Sequence, residues 1–126
     1  MRFIPAREEK ARSPAAGPIQ QQAMEDCPPG HVLVVDSRSD PRAASAGDIT
    51  AAALQRAAAP ALSPTAGLRD SEGVAKTGLV AYHRRPSSSP SDIVHQPADL
   101  GVPIACGGVA VSPGDIIVGD ANPDFS

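Results

Sequence analysis

The sequence predicts an α/β fold, because strand-type and helix-type segments alternate along its 126 residues. The clearest strand is Val-Leu-Val-Val at 32–35, a continuous apolar run of the kind found in strands that are covered on both faces. The clearest helix is 49–59, which is rich in helix-forming residues and is stopped by Pro60. A further strand is expected at 79–83.

The length suggests one domain, which we place at 19–120, with a disordered tail at 1–18 and a second tail at 121–126. The first tail is rich in charges and prolines and shows no sustained apolar period. A short helix is expected at 19–27, because the Pro-Pro-Gly sequence at 28–30 would end it.

The helix at 49–59 has two candidate N-terminal caps, Ser45 and Asp48. Pro60 and Pro64 argue against a central strand between them. The remaining expected elements are a turn at 67–70, a helix at 71–77 ended by Gly78, a loop at 84–91, strands at 102–105 and 109–111, a turn at 112–115 and a strand at 116–120.

The composition offers little apolar bulk for a core. Phe3, Tyr82 and Phe125 are the only aromatic residues. Much of the apolar content is alanine, which buries little area at about 25 cal/mol per Å². The isolated monomer is therefore expected to be marginally stable, and to depend on partner subunits or on a longer chain.

Charge and cysteine content exclude several classes of partner. A formal net charge of -3 gives no reason to expect a nucleic acid or a membrane as partner, and no apolar run is long enough to span a bilayer. The N-terminus lacks the apolar core of a signal peptide. Cys27 and Cys106 form no disulfide framework, so we interpret them as free thiols of a cytoplasmic protein.

An adjacent Arg-Asp pair is the main candidate for chemistry. Such pairs are most often surface ion pairs, and that interpretation stays open. The alternative is a site for a small carboxylate, in which Arg69 binds the carboxylate and Asp70 binds a divalent cation. Gly47 would allow close backbone approach, and the amides of residues 48–50 at a helix start would favour an anion.

Other candidate groups are interpreted as structural. Cys106 has no evident partner histidine, so a buried thiol is favoured over a nucleophile. His31 and His95 have no further ligand at metal-binding spacing. The trio at 83–85, His-Arg-Arg, could bind an anion but is more typical of a solvated loop.

Five segments in register carry a resemblance to a known family. They are PGHVLVVD at 29–36, RAASAGDI at 42–49, GLRDS at 67–71, AYHRRPS at 81–87 and VPIACGGVAVSPGD at 102–115. Together they resemble the RraA-like family, which includes the 4-hydroxy-4-methyl-2-oxoglutarate (HMG) aldolases. The resemblance covers about residues 19–120.

The resemblance implies a swivelling β/β/α fold of RraA-like type, here partial, and a ring-shaped homotrimer. It implies aldol cleavage of HMG or related 4-hydroxy-2-oxo acids to pyruvate, with decarboxylation of oxaloacetate, both through a pyruvate enolate. A divalent cation, Mg²⁺ or Mn²⁺, would polarise the 2-oxo oxygen and stabilise the enolate.

The same resemblance implies the site residues. The family pattern places a glycine ahead of an Arg-Asp pair, and Gly47 and Arg69-Asp70 match that spacing. By that match Asp70 would bind the metal and Arg69 would hold the substrate carboxylate, both as catalytic residues. The substrate-binding backbone would be that of Gly47, Asp48, Ile49 and Thr50.

Three departures from the family pattern bear on function. Gly73 stands where the family often has an acidic residue, Pro64 interrupts the segment before the Arg-Asp turn, and the chain is shorter than most members at both ends. Two alternatives therefore accompany the lyase: a non-catalytic regulator that binds and inhibits a ribonuclease, and an inactive truncated remnant. The presence of Asp70 favours the lyase.

Overall fold

Two parallel three-stranded sheets form the centre of the fold. The computed structural model describes residues 1–6, 16–40, 42–59, 61–64, 67–83, 85–89 and 95–120. The elements in chain order are β1 (Arg2–Pro5), α1 (Ala16–Glu25), β2 (Leu33–Val35), β3 (Ala44–Ala46), α2 (Asp48–Arg56), β4 (Ala61–Pro64), β5 (Gly67–Leu68), α3 (Ser71–Thr77), β6 (Val80–Ala81), β7 (Arg85–Pro86), β8 (His95–Asp99), β9 (Ile104–Cys106) and β10 (Val109–Val111).

The two sheets are interleaved along the chain. One has the order β2-β4-β6 and the other the order β3-β5-β7. Strands that follow one another in the chain, from β2 to β7, belong to the two sheets in turn. Helices α2 and α3 lie in the crossover connections that parallel neighbouring strands require. Because β3 and β5 are adjacent, with Ala46 opposite Leu68, the turns that lead from them into α2 and α3 lie side by side.

The hydrophobic core draws on all three helices and on strands of both sheets. Its largest fully buried apolar side chains are Phe3, Leu54, Leu68 and Val35. Alanines occupy several further core positions, as the composition predicts: Ala23, Ala46, Ala51 and Ala59. None of the helices in the described residues is both long and apolar enough to cross a membrane.

Several elements confirm the sequence analysis. The strand at 32–35 forms as β2, and the helix before Pro60 forms as α2. Helix α3 occupies the predicted residues and ends at Gly78, whose φ of 78° favours glycine. Strands β9 and β10 pair as an antiparallel hairpin.

The N-terminal residues belong to the fold, so the predicted tail over 1–18 is wrong at residues 2–5. Strand β1 pairs antiparallel with β8, a strand that the sequence analysis did not anticipate. Phe3 N also donates to Asp36 O over 2.8 Å, and Asp36 N donates to Met1 O over 2.9 Å. The partner strand lies near the other end of the chain, so no local pattern indicates this pairing. Residues 7–15 and the predicted tail at 121–126 lie outside the described residues.

Two strands form where prolines indicated none. Strand β4 is the middle strand of its sheet, contrary to the expectation for 61–62. Pro64 is its last residue, opposite Val35, at a strand end where a missing amide costs little. Strand β7 lies inside the predicted loop at 84–91, and it is an edge strand, a position in which proline is tolerated.

The apolar run 116–120 forms no strand, contrary to the prediction. Ile116 and Val118 are 90% and 88% exposed. A β-branched run becomes a strand only where a neighbour supplies hydrogen bonds, and among the described strands none pairs with this run. The backbone at Gly119 lies close to the ring of Tyr82, since a Cβ atom added at Gly119 would be only 2.6 Å from a ring carbon.

Candidate functional site

A cleft of about 120 Å³ opens at the N-terminus of α2. It lies where β3 and β5 end and their turns lead into α2 and α3. Its lining comes from α1, from β3, from the start of α2 and from the turn after β5. The lining residues are Gln20, Ala44, Ser45, Ala46, Gly47, Ile49, Thr50 and Arg69.

Gly47 caps helix α2, and the prediction of a side-chain cap is wrong. Ser45 lies in β3, and Oδ1 of Asp48 accepts a hydrogen bond from the Ile49 amide over 2.8 Å. The first amides of a helix lack intrahelical partners and carry the positive end of its dipole. Because Gly47, Ile49 and Thr50 line the cleft, this positive end lies at the cleft.

Arg69 and Asp70 form the turn from β5 into α3. The Arg69 amide donates to Ala46 O over 2.9 Å, which fixes the turn beside β3. Asp70 has a φ of 54°, a left-handed conformation that aspartate tolerates better than most residues. Its Oδ2 accepts a hydrogen bond from Arg69 Nε over 3.0 Å. The two side chains are 43% and 44% exposed, so this ion pair is accessible to a ligand.

Gly47 lies directly against this ion pair. A Cβ atom at Gly47 would lie 3.1 Å from Asp70 Oδ2 and 3.6 Å from Arg69 Nε. Glycine therefore allows the backbone to approach the pair more closely than another residue would. The start of α2 and Arg69 line the cleft, whereas Asp70 is not among the lining residues and its carboxylate lies beside Gly47.

The cleft suits a small anion. Among its lining residues Arg69 carries the charge, while Gln20, Ser45 and Thr50 add uncharged polar groups. A helix N-terminus and a guanidinium both favour negative charge. A guanidinium has five N–H donors, and the bond to Asp70 uses one of them. The remaining donors can bind a carboxylate.

Asp48 lies against α3 and does not line the cleft. A Cβ atom at Gly73 would lie 2.9 Å from Asp48 Cβ and 3.1 Å from Asp48 Oδ2. Gly73 is therefore a point of close approach between α2 and α3. The space that a side chain at position 73 would need is occupied by Asp48, which explains why an acidic residue is not accommodated there.

Asp70 fits a hard divalent cation. Among the described residues there is no group of three or more His, Cys, Asp or Glu side chains that could hold a metal ion. Mg²⁺ commonly uses only one or two carboxylates, with waters and ligand oxygens completing its shell. A carboxylate has about four lone-pair sites, so the hydrogen bond from Arg69 leaves room for a cation on Asp70.

Gln20 lines the cleft although no sequence pattern indicates it, and Ser45 lies in a strand and not at a helix cap. Gln20 Nε2 donates to Ser45 O over 3.3 Å, a contact between distant elements that no local pattern indicates. Ser45 lies in a bulge of β3, since the register with β5 shifts between Ala44 and Ala46. A serine shortly before a helix resembles a cap in sequence, and only the strand pairing distinguishes the two.

Both cysteines are free thiols, as the sequence analysis expected, and both are partly buried. Burial raises the pKa of the Cys27 thiol. Burial, together with the nearby Asp36 carboxylate, raises the pKa of the Cys106 thiol. Because the thiolate is the nucleophilic form, these shifts support the structural interpretation of Cys106.

Comparison with known proteins identifies similar sequences. The sequence model of a family described as RraA-like, Aldolase/RraA, matches residues 11–122. A curated relative from Halalkalibacterium halodurans is named "Putative 4-hydroxy-4-methyl-2-oxoglutarate aldolase". It is 31% identical over 101 residues, which are 80% of this chain and 48% of the relative.

Solved structures show the same fold. Streptomyces coelicolor RraAS2, described as an unusual member of the RNase ES inhibitor RraA protein family, matches with a TM-score of 0.78 and 26% identity, over 90% of this chain and 54% of that chain. The RNA-processing inhibitor RraA from Thermus thermophilis matches in fold with a TM-score of 0.59 and 24% identity. This match covers 74% of this chain and 56% of that chain. The chain spans about half the length of these relatives. The predicted α/β fold of RraA-like type is confirmed.

Proposed function

Because the chain belongs to the RraA-like (Aldolase/RraA) family, we propose that it is a divalent-metal-dependent lyase that cleaves HMG or related 4-hydroxy-2-oxo acids to pyruvate. The observation that carries this proposal is the close approach of Gly47 to the Arg69-Asp70 pair beside the cleft. The name of the Halalkalibacterium relative supports the substrate class. Decarboxylation of oxaloacetate belongs to the same proposal, because it also leaves pyruvate.

Arg69 and the start of α2 bind the substrate in this proposal. The guanidinium binds the carboxylate next to the 2-oxo group. The first amides of α2 other than that of Ile49, which donates to Asp48, add hydrogen bonds and the positive end of the dipole. A cavity of about 150 Å³ holds benzene. The cleft of about 120 Å³ therefore suits the pyruvate portion of the substrate, and the rest of a larger acid extends toward solvent.

Asp70 would hold the cation, Mg²⁺ or Mn²⁺. When bound, the cation supplies a Lewis acid that polarises the 2-oxo oxygen. Arg69 orients the Asp70 carboxylate through its Nε bond of 3.0 Å. The remaining donors of Arg69 stabilise negative charge that develops on the oxo acid as the carbon–carbon bond breaks.

The test is pyruvate release from HMG and from oxaloacetate by the purified chain. Pyruvate is expected to form with Mg²⁺ or Mn²⁺, to stop after EDTA treatment and to return when the cation is added back. Turnover that does not depend on a metal would contradict the assignment. A complete lack of pyruvate release with either cation would favour the regulator or the inactive remnant.

A second candidate function is non-catalytic binding and inhibition of a ribonuclease. The similarity to Streptomyces coelicolor RraAS2, at 26% identity, favours it. A surface that only binds another protein has no need of an accessible carboxylate beside an anion-binding cleft, which is why we rank the lyase first. Inhibition of an RNA-degrading endonuclease by a chain that releases no pyruvate would reverse this order.

We also propose that the chain is a homotrimer. Val109, Ile116 and Val118 are 64%, 90% and 88% exposed, and contact with neighbouring subunits would remove this apolar surface from water. Light scattering after size exclusion is expected to give about 38 kDa, three times the chain mass of 12.8 kDa. A mass near that of one chain would contradict the trimer. A cytoplasmic location stays a prediction.

A further inference from the structure

Gln20 brings a side-chain amide to the cleft from helix α1. It is the α1 residue among the lining residues, and it is partly buried. Its Nε2 donates a hydrogen bond to Ser45 O on β3 over 3.3 Å. Because this bond joins the end of the side chain to a second residue of the lining, it holds the amide beside the part of the cleft wall that β3 forms.

The hydrogen bond to Ser45 fixes which way the Gln20 amide faces. A carbonyl oxygen only accepts hydrogen bonds, so the amide nitrogen faces Ser45 and the amide oxygen faces away from it. Among the described residues no group donates to Gln20 Oε1, and this atom is not one of the buried polar atoms that lack a partner. Oε1 is therefore an accessible acceptor on a side chain that is already held in place.

Gln20 and Arg69 bond to neighbouring carbonyl groups at the end of β3. The Arg69 amide donates to Ala46 O over 2.9 Å, and Gln20 Nε2 donates to Ser45 O. Consecutive Cα atoms are about 3.8 Å apart, so the turn that carries the guanidinium and the Gln20 amide lie close enough for one small acid to contact both. Arg69 binds the carboxylate of that acid, and Gln20 contacts a group farther along the same molecule.

An accessible amide oxygen selects a hydrogen-bond donor on the ligand. At neutral pH the carboxylates and the 2-oxo group of a 4-hydroxy-2-oxo acid only accept hydrogen bonds, so its 4-hydroxyl is the group that can donate to an oxygen. Oxaloacetate in its oxo form has no such hydroxyl. The two substrates of the proposed function therefore differ in the group that Gln20 can recognise.

We infer that Gln20 is a specificity-determining residue whose Oε1 accepts a hydrogen bond from the 4-hydroxyl of the bound 4-hydroxy-2-oxo acid. This inference rests on the proposed function, and it adds a residue from α1 that neither the glycine nor the Arg-Asp pattern includes. The bond holds the hydroxyl next to the carbon–carbon bond that breaks, so it favours aldol cleavage over decarboxylation of oxaloacetate. Gln20 positions the hydroxyl and exchanges no proton with it.

The test compares Gln20→Met with Gln22→Met, a change at an exposed glutamine of the same helix that does not line the cleft. Methionine has nearly the length and the helix propensity of glutamine but has no amide. Pyruvate release is measured with HMG and with oxaloacetate. Gln20→Met is expected to lower the ratio of kcat/KM for HMG to kcat/KM for oxaloacetate about tenfold. Gln22→Met is expected to leave this ratio unchanged.

This ratio separates recognition of the hydroxyl from a structural role. Loss of the bond to Ser45 alters the cleft for both substrates alike, whereas loss of Oε1 acts on the hydroxy acid. Equal losses for HMG and oxaloacetate in Gln20→Met would overturn the inference and leave the proposed function standing. If wild type releases pyruvate from neither substrate, both fail.

A measurement on the wild-type chain tests the same bond without a substitution. The loss of oxaloacetate is followed in the presence of 2-oxoglutarate or of 4-hydroxy-2-oxoglutarate, which differ by the 4-hydroxyl. The hydroxy acid is expected to compete about tenfold more strongly. Equal competition by the two acids would overturn the inference, including the case in which Gln20→Met does not fold.

Discussion

Replacing Asp70 with asparagine is expected to lower kcat/KM for pyruvate release by at least about 100-fold, because a neutral amide binds the proposed divalent cation far more weakly than a carboxylate does. Asparagine keeps the size of the side chain and tolerates the φ of 54° at this position. The start of α3 is therefore retained. Steady-state pyruvate release measures the loss, and Mn²⁺ binding followed by electron paramagnetic resonance should weaken in parallel.

Asp40→Asn is the matched control for Asp70→Asn. Arg42 Nη2 lies 2.6 Å from Asp40 Oδ2, and the hydrogen bonds from Arg42 hold the pKa of the Asp40 carboxyl well below its usual range. This pair is also an Arg-Asp ion pair, but neither of its residues lines the cleft, whereas Arg69 does. The Asp40 side chain is 11% exposed and that of Asp70 is 44% exposed. Asp40→Asn should keep activity within about twofold of wild type.

Two outcomes with these variants would change the assignment. If Asp70→Asn binds Mn²⁺ as tightly as wild type, Asp70 is not the metal ligand and the lyase proposal loses its main residue. If Asp70→Asn and Asp40→Asn lose activity equally, the loss reflects the fold and not the site. Endonuclease inhibition that is indifferent to Asp70→Asn, in a chain without lyase activity, would support the regulator.

The helices could be predicted well because their signals are local. Helix α3 ends where Gly78 adopts a φ of 78°, a conformation that costs glycine little. Helix α2 begins directly after Gly47 and ends before Pro60. Such boundaries depend on residues that are neighbours in sequence, so the sequence contains the information that sets them.

The strands were harder to predict because most are short and depend on distant partners. Strands β1, β4 and β7 have four, four and two residues. Their pairing partners come from elsewhere in the chain, and prolines at strand ends or edges hid two of them. The run 116–120 shows the reverse case, since it has strand propensity but pairs with none of the described strands.

The same distinction applies to the cleft. Gly47 and the Arg69-Asp70 pair could be proposed because their spacing matches a family pattern. Ser45 and Gln20 could not, because their contact depends on the bulge in β3 and on the packing of α1 beside it. Sequence patterns thus identified the charged end of the cleft, and the structure added its uncharged polar wall.

Phe3→Ala is expected to lower the free energy of unfolding by about 3–5 kcal/mol, the cost of removing a large buried aromatic side chain. Phe3 is 2% exposed and belongs to the hydrophobic core. Much of that core is alanine, and residues such as Ala23 and Ala51 have no flexible side chain that could fill the cavity. Because small domains are stable by only about 5–15 kcal/mol, much of the stability would be lost.

Ile4→Ala provides the comparison on the same strand. Ile4 is 37% exposed, so its truncation should cost about 1–2 kcal/mol, less than half of the loss for Phe3→Ala. Urea unfolding should show a large decrease in midpoint for Phe3→Ala and a small one for Ile4→Ala, both with an unchanged slope. Equal and small effects would mean that β1 is not part of the cooperative fold, and the prediction of a disordered tail would then be right. The backbone bonds that Phe3 and Met1 make with Asp36 argue for the large effect, since they hold Phe3 against the end of β2.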